Sequence, residues 1–297
     1  MLEGVAPPLQ PLRLPWLEAA GVEVAVLRLD LIDPLVSGNK WFKLRPWLEL
    51  ARQQGAPGLV SLGGPWSNHL HALAAAGYRE GLATVGLLRG EPQRTATTDD
   101  LQAMGMVLHW LGYGGYRTRH QPGFWAPWLA QYPGFLAIPE GGACEQGMRG
   151  CMALLELVEP GLAALGWNSF DAWWLAAGTG TTVAGLAQAE AGHRLVHGAL
   201  AVPAGQGAEA NVSKLAPHAR VQWHDASRGG FGKVDAALID FLKATEAHTG
   251  LPLEPLYTAK ALLALQAYVL AGGVAPGTRL VFVHTGGLQG RRGFPSL

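Results

Sequence analysis

The sequence predicts an α/β protein built from mainly parallel sheet. Short apolar runs of strand length alternate with longer stretches of helical periodicity along almost all of the 297 residues, which is the pattern of strand–helix–strand units. Several of the apolar runs end directly in glycine-rich turns. In addition, 49% of the residues are hydrophobic, so the chain can bury a large core.

The strands are predicted from apolar runs that are bounded by turn residues. In chain order they cover residues 22–29, 58–62, 83–88, 106–111, 135–139, 172–177, 195–202, 221–224 and 279–284. The helices are predicted from apolar residues at helical spacing, and Ser67 is placed to cap one of them. They cover residues 41–53, 67–78, 97–104, 146–158, 182–191, 234–248 and 258–271.

The distribution of turn residues indicates an inserted domain. The 41 glycines and 20 prolines are spread over many loops, and no single linker divides the chain into halves. We therefore expect two open, twisted α/β domains, the smaller one inserted into the larger. The larger domain is expected to comprise residues 1–44 and 135–297, and the smaller one residues 45–134.

The charge balance argues against several function classes. The chain has 22 Lys and Arg against 22 Asp and Glu, a net charge of zero, so we expect neither a nucleic-acid partner nor a polybasic contact with a membrane. No apolar run reaches the roughly 18 residues of a transmembrane helix. The N-terminal segment, which contains Glu3, lacks the apolar stretch of a secretory signal.

Cysteine usage points to a reducing compartment. Cys144 and Cys151 are the only two cysteines; they cannot build a disulfide framework and lack zinc-site spacing, so no metal is expected. Such usage is typical of the cytoplasm. Charged residues make up 15%, below the roughly 25% of an average soluble protein, which favours extra buried surface and a homodimer.

A glycine-rich turn is the clearest candidate binding element. It follows the strand that ends at Ala177, and it consists of Gly178, Thr179, Gly180, Thr181 and Thr182. Glycines let the backbone approach a ligand, and the unpaired N–H groups of a helix N-terminus favour an anion such as phosphate. The turn matches neither a P-loop nor a GxGxxG motif. A tight turn without a ligand is the alternative.

Two of the six lysines, Lys40 and Lys43, follow a turn at the start of a helix. Burial lowers the pKa of a lysine, and the free amine forms Schiff bases with carbonyl compounds. The alternative is a pair of solvated lysines on a first helical turn. Both residues are therefore candidates for binding a carbonyl ligand.

Polar residues also open the helix after the strand at residues 58–62. Ser67, Asn68 and His69 stand together there. Their side chains and the free N–H groups of the helix start suit a small anion or a substrate carboxylate. A serine cap with polar neighbours is the alternative.

Two further segments place polar residues at the ends of regular structure. Tyr257 and Thr258 stand at the mouth of a helix, and Thr285 follows the last buried strand. A tyrosine beside a pocket can stack on an aromatic ligand or transfer a proton. Both segments could equally serve as scaffold alone.

In this order, the five segments resemble the pyridoxal-phosphate enzymes of the tryptophan-synthase β type (fold type II). The matching motifs are SGNKWFKL, SLGGPWSNH, AAGTGTT, PLYTAK and VHTGG, and the similarity runs from about residue 29 to residue 287. Within that type the chain resembles the 1-aminocyclopropane-1-carboxylate (ACC) deaminase / D-cysteine desulfhydrase family. The resemblance implies a two-domain fold, pyridoxal 5'-phosphate as the cofactor, and an enzyme that acts on a small amino acid.

The resemblance also implies which residues hold the cofactor. Lys40 would bind it as a Schiff base and later act as the catalytic base, while Lys43 would contact the phosphate. Residues 178–182 would cradle the phosphate. Thr258 and Thr285 would lie near the pyridine nitrogen.

By the same resemblance, the start of the helix at residue 67 would bind the substrate. Ser67 and His69 would receive the substrate carboxylate, and Ser67 would also take part in proton transfer. Asn68 would hydrogen-bond the 3′-oxygen of the cofactor and line the substrate site. Tyr257 would lie against the cofactor ring as a catalytic and substrate-binding residue.

Departures within the family indicate the substrate. Thr258 stands where the deaminases have glutamate, and Thr285 where they have an aliphatic residue; both match the desulfhydrase pattern. A neutral threonine cannot hold the ring nitrogen protonated as a carboxylate does. We therefore expect α,β-elimination on a D-cysteine-like substrate to pyruvate, ammonia and sulfide, with ACC ring opening to 2-oxobutanoate and ammonia as the alternative. Trp66, in place of the relatives' glutamine, is expected to reshape the pocket.

Two other function classes stay open from the residues alone. One is an α/β protein that binds a phosphate ligand at residues 178–182 without an aldehyde cofactor, which the colour of the purified protein would distinguish. The other is a non-catalytic member that binds a metabolite as a regulator. The presence of Lys40, Ser67, Asn68 and Tyr257 together argues against the second class.

Overall fold

The computed structural model describes residues 7–295 and residue 297. Residues 1–6 of the expected larger domain, and with them Glu3 of the N-terminal segment, lie outside the described residues. Within the described part, ten strands form. They are β1 (Leu9–Leu12), β2 (Glu23–Arg28), β3 (Gly58–Gly63), β4 (Ala83–Leu88), β5 (Val107–Trp110), β6 (Leu136–Ala137), β7 (Ala172–Ala177), β8 (Leu195–Leu200), β9 (Val221–Asp225) and β10 (Arg279–His284).

Helices connect the strands. The α-helices are α1 (Pro15–Ala20), α2 (Asn39–Gln54), α3 (Asn68–Glu80), α4 (Ala96–Ala103), α5 (Gly112–Arg117), α6 (Ala126–Gln131), α7 (Glu145–Met152), α8 (Glu159–Leu162), α9 (Thr181–Glu190), α10 (Ala208–Leu215), α11 (Ala236–Thr249) and α12 (Thr258–Leu270). Short 3-10 turns cover Leu29–Leu31, Thr118–His120, Glu140–Gly142, Ala163–Leu165 and Leu288–Gly293.

The strands form two sheets. The larger has the order β1-β2-β10-β7-β8-β9 and is parallel except for β1, which pairs antiparallel with β2. The smaller has the order β5-β4-β3-β6 and is parallel throughout. All four of its strands lie in the chain between β2 and β7 of the larger sheet. The predicted class, mainly parallel α/β with a smaller unit inserted in a larger one, is confirmed.

The central strands show why the sequence forms parallel sheet. Every residue of β3 and β7 is buried, because helices cover both faces of a parallel sheet and leave no face to water. Successive side chains of β7 therefore enter different cores. Trp173 packs in the core that contains Val183 and Leu186 of α9, whereas Trp174 packs in the core that contains Leu262 of α12.

Several short elements differ from the prediction. β1, α1, α5, α6 and α10 were not predicted, and the helix expected at residues 146–158 ends at Met152, before α8 begins at Glu159. α7 itself contains two glycines, Gly147 and Gly150. A Cβ on Gly150 would overlap the carbonyl oxygen of Phe42 in α2, so α7 is held by close backbone packing, although glycine lowers its helix propensity.

We propose two domains that follow the two sheets, with residues 45–134 in the smaller one. β6 also belongs to the smaller sheet, since Leu136 and Ala137 pair with Leu59 and Val60 of β3. We therefore place the return of the chain to the larger domain after β6 rather than at residue 135. Within residues 7–295 and 297, no helix combines the length and apolar character required to cross a bilayer.

Candidate active site

The start of α2 lies against the end of β10. Gly38 precedes the helix with a φ of +74°, a left-handed conformation that glycine adopts readily. A Cβ on Gly38 would overlap the carbonyl oxygen of Thr285, and Asn39 N donates to this same oxygen at 3.1 Å. The contact places Lys40 at the carboxyl end of the larger sheet, where ligands of open α/β sheets bind.

Lys40 is held by a short chain of side-chain hydrogen bonds. Its Nζ donates to Asn39 Oδ1 at 3.1 Å, and Asn39 Nδ2 donates to Thr182 Oγ1 at 2.8 Å. Burial, and next the positive charge of Lys43, lower the pKa of Lys40 from 10.5 to about 7. Near neutral pH the amine is therefore partly unprotonated, which is the form that attacks a carbonyl carbon.

The turn after β7 forms a cradle for an anion. Gly180 precedes α9 with a φ of +76°, and the helix begins without a side-chain cap, whereas Ser67 caps α3. The N–H groups of a first helical turn have no acceptors within the helix, and Thr181 and Thr182 are buried. A buried, uncapped helix N-terminus is complementary to phosphate, so these residues fit a phosphate-bearing cofactor.

Lys43 lies beside this cradle and is only 3% exposed. Its Nζ donates to the carbonyl oxygen of Gly141 at 3.1 Å and to Thr179 Oγ1 at 3.5 Å. Burial lowers the pKa of Lys43. Because both partners are neutral oxygens, an anion in the cradle would supply the countercharge that a buried ammonium requires.

Ser67 and Asn68 stand at the start of α3. Ser67 Oγ accepts from Leu70 N at 3.2 Å, and the first backbone bond runs from His71 N to Ser67 O at 3.0 Å. The N–H groups of Asn68 and His69 precede this bond and have no acceptor within the helix. They form a second position for an anion, and it suits a carboxylate.

Glycine contacts bring α3 close to the larger sheet. A Cβ on Gly287, just after β10, would lie 2.6 Å from Asn68 Nδ2. A Cβ on Gly142 would lie 3.2 Å from Lys43 Cβ and 3.7 Å from His69 Cε1. The starts of α2 and α3 therefore meet between the two sheets, with the lysines on one side and the carboxylate position on the other.

His69 is buried, and the tautomer of its ring leaves Nδ1 as a hydrogen-bond acceptor. Ser61 Oγ gives its proton to the carbonyl oxygen of Ile138 at 2.7 Å, so it accepts from His69 Nε2 at 2.9 Å. Nδ1 then carries a lone pair, and within the described residues it has no partner. Burial, with the charges of Lys40 and Lys43, holds the pKa of His69 well below 6.5. This neutral ring argues against its expected role as a side-chain ligand of the substrate carboxylate.

Tyr257 lies beside the anion cradle. A Cβ on Gly178 would lie 3.0 Å from Tyr257 Cε1, and the ring of Phe231 packs against Tyr257 with the centroids 5.5 Å apart. Burial, and then the charge of Glu254, raise the pKa of the Tyr257 hydroxyl, which therefore stays protonated. An aromatic ring next to an anion cradle suits a planar ligand that carries a phosphate.

Glu254, which was not predicted from the sequence as a site residue, closes the turn before α12. Its carboxylate accepts from the N–H groups of Leu256, Tyr257 and Thr258 at 2.9, 2.6 and 2.7 Å. Burial raises the pKa of Glu254 to about 7, although these N–H bonds oppose the shift. Thr258 Oγ1 accepts from Glu254 N at 2.8 Å and donates to Glu254 O at 3.2 Å. The signal was an acidic residue just ahead of a helix start.

A buried network supports the end of β10. Asp30 accepts two bonds from Arg28, at 2.9 and 2.6 Å, and it lies 3.1 Å from His284 Nδ1. His284 Nε2 donates to the carbonyl oxygen of Pro252 at 2.7 Å. Thr285, which is 8% exposed, follows His284 directly. The network therefore fixes the backbone of Thr285, whose carbonyl oxygen accepts from Asn39 N.

Comparisons with known proteins indicate which cofactor the chain uses and to which group of enzymes it is similar. The family described as "Pyridoxal-phosphate dependent enzyme" matches residues 6–286. A Pyrococcus furiosus protein with the provisional name 1-aminocyclopropane-1-carboxylate deaminase is 27% identical, and the match covers 91% of this chain and 86% of that protein. The D-cysteine desulfhydrase of Salmonella schwarzengrund is also 27% identical, over 90% of this chain and 87% of its own.

Solved structures share the fold. An ACC deaminase homologue superimposes with a TM-score of 0.83 at 24% identity, covering 98% of this chain and 92% of that chain. A hydrogen sulfide-producing enzyme from Fusobacterium nucleatum gives a TM-score of 0.70 at 13% identity, with 94% and 93% covered. Since the family match spans almost the whole described chain, and the lysine and anion cradle fit an aldehyde that carries a phosphate, the chain belongs to the pyridoxal-phosphate dependent enzymes, in the group that includes ACC deaminase and D-cysteine desulfhydrase.

Proposed function

We propose that the enzyme eliminates a thiol from a small D-amino acid, with D-cysteine as the substrate. D-Cysteine and water would give pyruvate, ammonia and hydrogen sulfide. The observation that carries this proposal is the residue after Tyr257, Thr258, which is neutral and fully buried. ACC deamination is the second candidate, because relatives with either name match this chain at 27% identity.

A neutral side chain at this position favours elimination over ring opening. In elimination the departing thiolate takes up the electrons released from the α-carbon. Ring opening has no such leaving group, and a carboxylate beside the pyridine nitrogen would be needed to keep it protonated. We assign Glu254 to the start of α12 rather than to the pyridine nitrogen, because its oxygens accept three backbone N–H groups there.

When bound, pyridoxal phosphate supplies an electron sink for the substrate α-carbon. Lys40 would hold the cofactor covalently and, once released by the substrate amine, take the α-proton on Nζ. Lys43 and residues 178–182 would hold the phosphate. Thr258 and Thr285 would stand near the pyridine nitrogen.

The substrate would be bound from the start of α3. The N–H groups of Asn68 and His69, with the Ser67 hydroxyl, would receive its carboxylate, and we propose this in place of the His69 ring because that ring offers a lone pair. Asn68 would donate its amide proton to the 3′-oxygen of the cofactor. Tyr257 would cover the ring, with its protonated hydroxyl available to the leaving sulfur.

Lys43→Met should separate cofactor binding from folding. Methionine keeps an unbranched apolar stem like that of lysine but has no ammonium group. The Kd for pyridoxal phosphate should therefore rise about 10- to 100-fold, as expected for the loss of one charged hydrogen bond. The apo-protein should be equally or more stable, because a buried charge without a countercharge opposes folding. Tryptophan fluorescence during cofactor titration and thermal unfolding measure the two effects. An unchanged Kd would remove Lys43 from the phosphate site.

A substrate panel tests the reaction. We expect kcat/KM of the holoenzyme, measured as keto-acid release, to be at least about tenfold higher for D-cysteine than for L-cysteine or ACC, a difference of about 1.4 kcal/mol in transition-state binding. Thr258→Glu should lower elimination from D-cysteine. A higher kcat/KM for ACC in the wild-type enzyme would replace the proposal with the deaminase.

We also propose that the enzyme is a homodimer and that it is located in the cytoplasm. The low charged fraction of 15% and the free thiols of Cys144 and Cys151 support it. Sedimentation at several protein concentrations tests the dimer, and a single species of monomer mass would contradict it.

A further inference from the structure

A turn near the end of the chain joins the two sheets. We call Leu288–Gly293 the C-terminal strap. On one side, Arg291 pairs with Glu246 of α11, which packs on the larger sheet. On the other side, Arg292 pairs with Asp100 of α4, which packs on α3 and β5. Two adjacent arginines of the strap therefore tie it to different halves of the molecule.

The strap lies directly over the start of α3. Trp66, which was expected to reshape the pocket, packs on it: a Cβ on Gly293 would lie 3.4 Å from three atoms of the Trp66 ring system. The side chain remains 37% exposed. Trp66 thus contacts the strap next to the residues that we assign to the substrate carboxylate.

One side chain of the strap reaches the proposed cofactor ligand. Gln289 Nε2 donates to Asn68 Oδ1 at 3.0 Å. The amide of Asn68 lies against the strap and the glycine before it, because a Cβ on Gly290 would be 3.4 Å from its Oδ1 and one on Gly287 would be 2.6 Å from its Nδ2. Gln289 is half-buried, so this bond is shielded in part from water.

The direction of this hydrogen bond decides what Asn68 can offer. A carboxamide presents an acceptor on one side and donors on the other, and its last torsion angle is soft. When Oδ1 is occupied by Gln289, Nδ2 is the group that remains for a ligand. A donor stabilises an anionic oxygen, whereas an acceptor turned toward it would be repelled.

We propose that Gln289 is a positioning residue that orients the Asn68 amide with Nδ2 toward the cofactor, and that Arg291 and Arg292 hold Gln289 in place across the two domains. This inference rests on the proposed contact between Asn68 and the 3′-oxygen. It gives the C-terminal strap a specific role, because Gln289 bonds to Asn68 although 221 positions separate the two residues in the sequence.

Gln289→Glu tests the proposal with almost no change in shape. A carboxylate cannot donate, so it should turn Nδ2 of Asn68 toward itself and leave Oδ1 facing the cofactor. The deprotonated form of the cofactor chromophore should become less stable. We expect the pH midpoint of the visible absorption band of the holoenzyme to rise by about one unit, and the Kd for pyridoxal phosphate to rise about tenfold.

A double-variant cycle separates orientation from the added charge. With Asn68→Ala in place, Gln289→Glu should cause no further shift of the midpoint. Gln289→Met, which removes the donor but keeps the volume, should cause a smaller shift than Gln289→Glu. Gln53→Glu, on the exposed end of α2, is the matched control and should behave as wild type.

Three results would overturn the positioning role: no shift for Gln289→Glu, the same shift with Asn68→Ala, or equal shifts for the Glu and Met variants. If Gln289→Glu does not fold, the cycle of Gln289→Met with Asn68→Ala decides by the same criterion. The spectra are recorded without substrate. Failure to convert D-cysteine would therefore overturn the proposed reaction alone, and an unaffected titration would overturn the role of Gln289 alone.

Discussion

Replacing Lys40 with alanine should lower kcat by on the order of 10³-fold or more and abolish the covalent bond to the cofactor. Lys40 stands at the junction of both sheets, and its pKa of about 7 keeps an unprotonated amine available at neutral pH. Lys260 cannot replace it, because its Nζ donates to the carbonyl oxygens of Ser227, Gly230 and Phe231 at 2.9–3.0 Å. Steady-state kinetics and the visible spectrum of the reconstituted variant measure both effects.

Lys214→Ala is the matched control for this prediction. Lys214 is an exposed lysine on α10, and its removal should leave kcat and the spectrum unchanged. A Lys40→Ala protein that retains full activity and a borohydride-reducible bond after reconstitution would show that another lysine holds the cofactor.

Gly180→Val should lose the cofactor and also destabilise the fold. The residue has a φ of +76°, and a Cβ there would lie 2.6 Å from the carbonyl oxygen of Ala208 and 2.8 Å from Val212 Cγ2 of α10. We expect the free energy of unfolding to fall by about 2–4 kcal/mol, and the Kd for pyridoxal phosphate to rise on the order of 100-fold as the N–H groups of the cradle are displaced.

Gly272→Val is the control that introduces backbone strain without a steric clash. Gly272 has a φ of +75° with open space around it, in an exposed turn after α12. The Gly272→Val substitution should lower the free energy of unfolding by about 1–2 kcal/mol and leave the Kd for pyridoxal phosphate unchanged. Chemical denaturation and cofactor titration of both variants give the comparison. If Gly180→Val binds the cofactor as tightly as Gly272→Val, the phosphate lies elsewhere.

The long elements of the fold could be predicted because their signals are local. The predicted strands 83–88, 172–177 and 279–284 coincide with β4, β7 and β10, since each is a mainly apolar run that ends at a turn. α5 was not predicted as a helix, because three of its six residues are glycine. Its helical form is supported by packing: Tyr116 is buried in the core of the smaller sheet, an interaction that the sequence pattern does not contain.

The site shows the same division between local and distant contacts. The lysine pair, the cradle and the start of α3 were predicted from motifs, and the structure brings them together between the sheets. The orientation of the His69 ring depends on Ser61 and Ile138, and Gln289 bonds a residue 221 positions away. Neither contact has a sequence signal of its own. The alternative of a phosphate-binding protein without an aldehyde cofactor is wrong, because the family match identifies a pyridoxal-phosphate dependent enzyme.

The most direct test of the account is to locate the cofactor bond. The holoenzyme is reduced with borohydride and digested, and the labelled peptide is sequenced by mass spectrometry. We expect the cofactor-derived mass on Lys40, with fragment ions that separate it from Lys43. A label on Lys43 or Lys260, or no labelled peptide in a coloured preparation, would contradict the assignment of the active site.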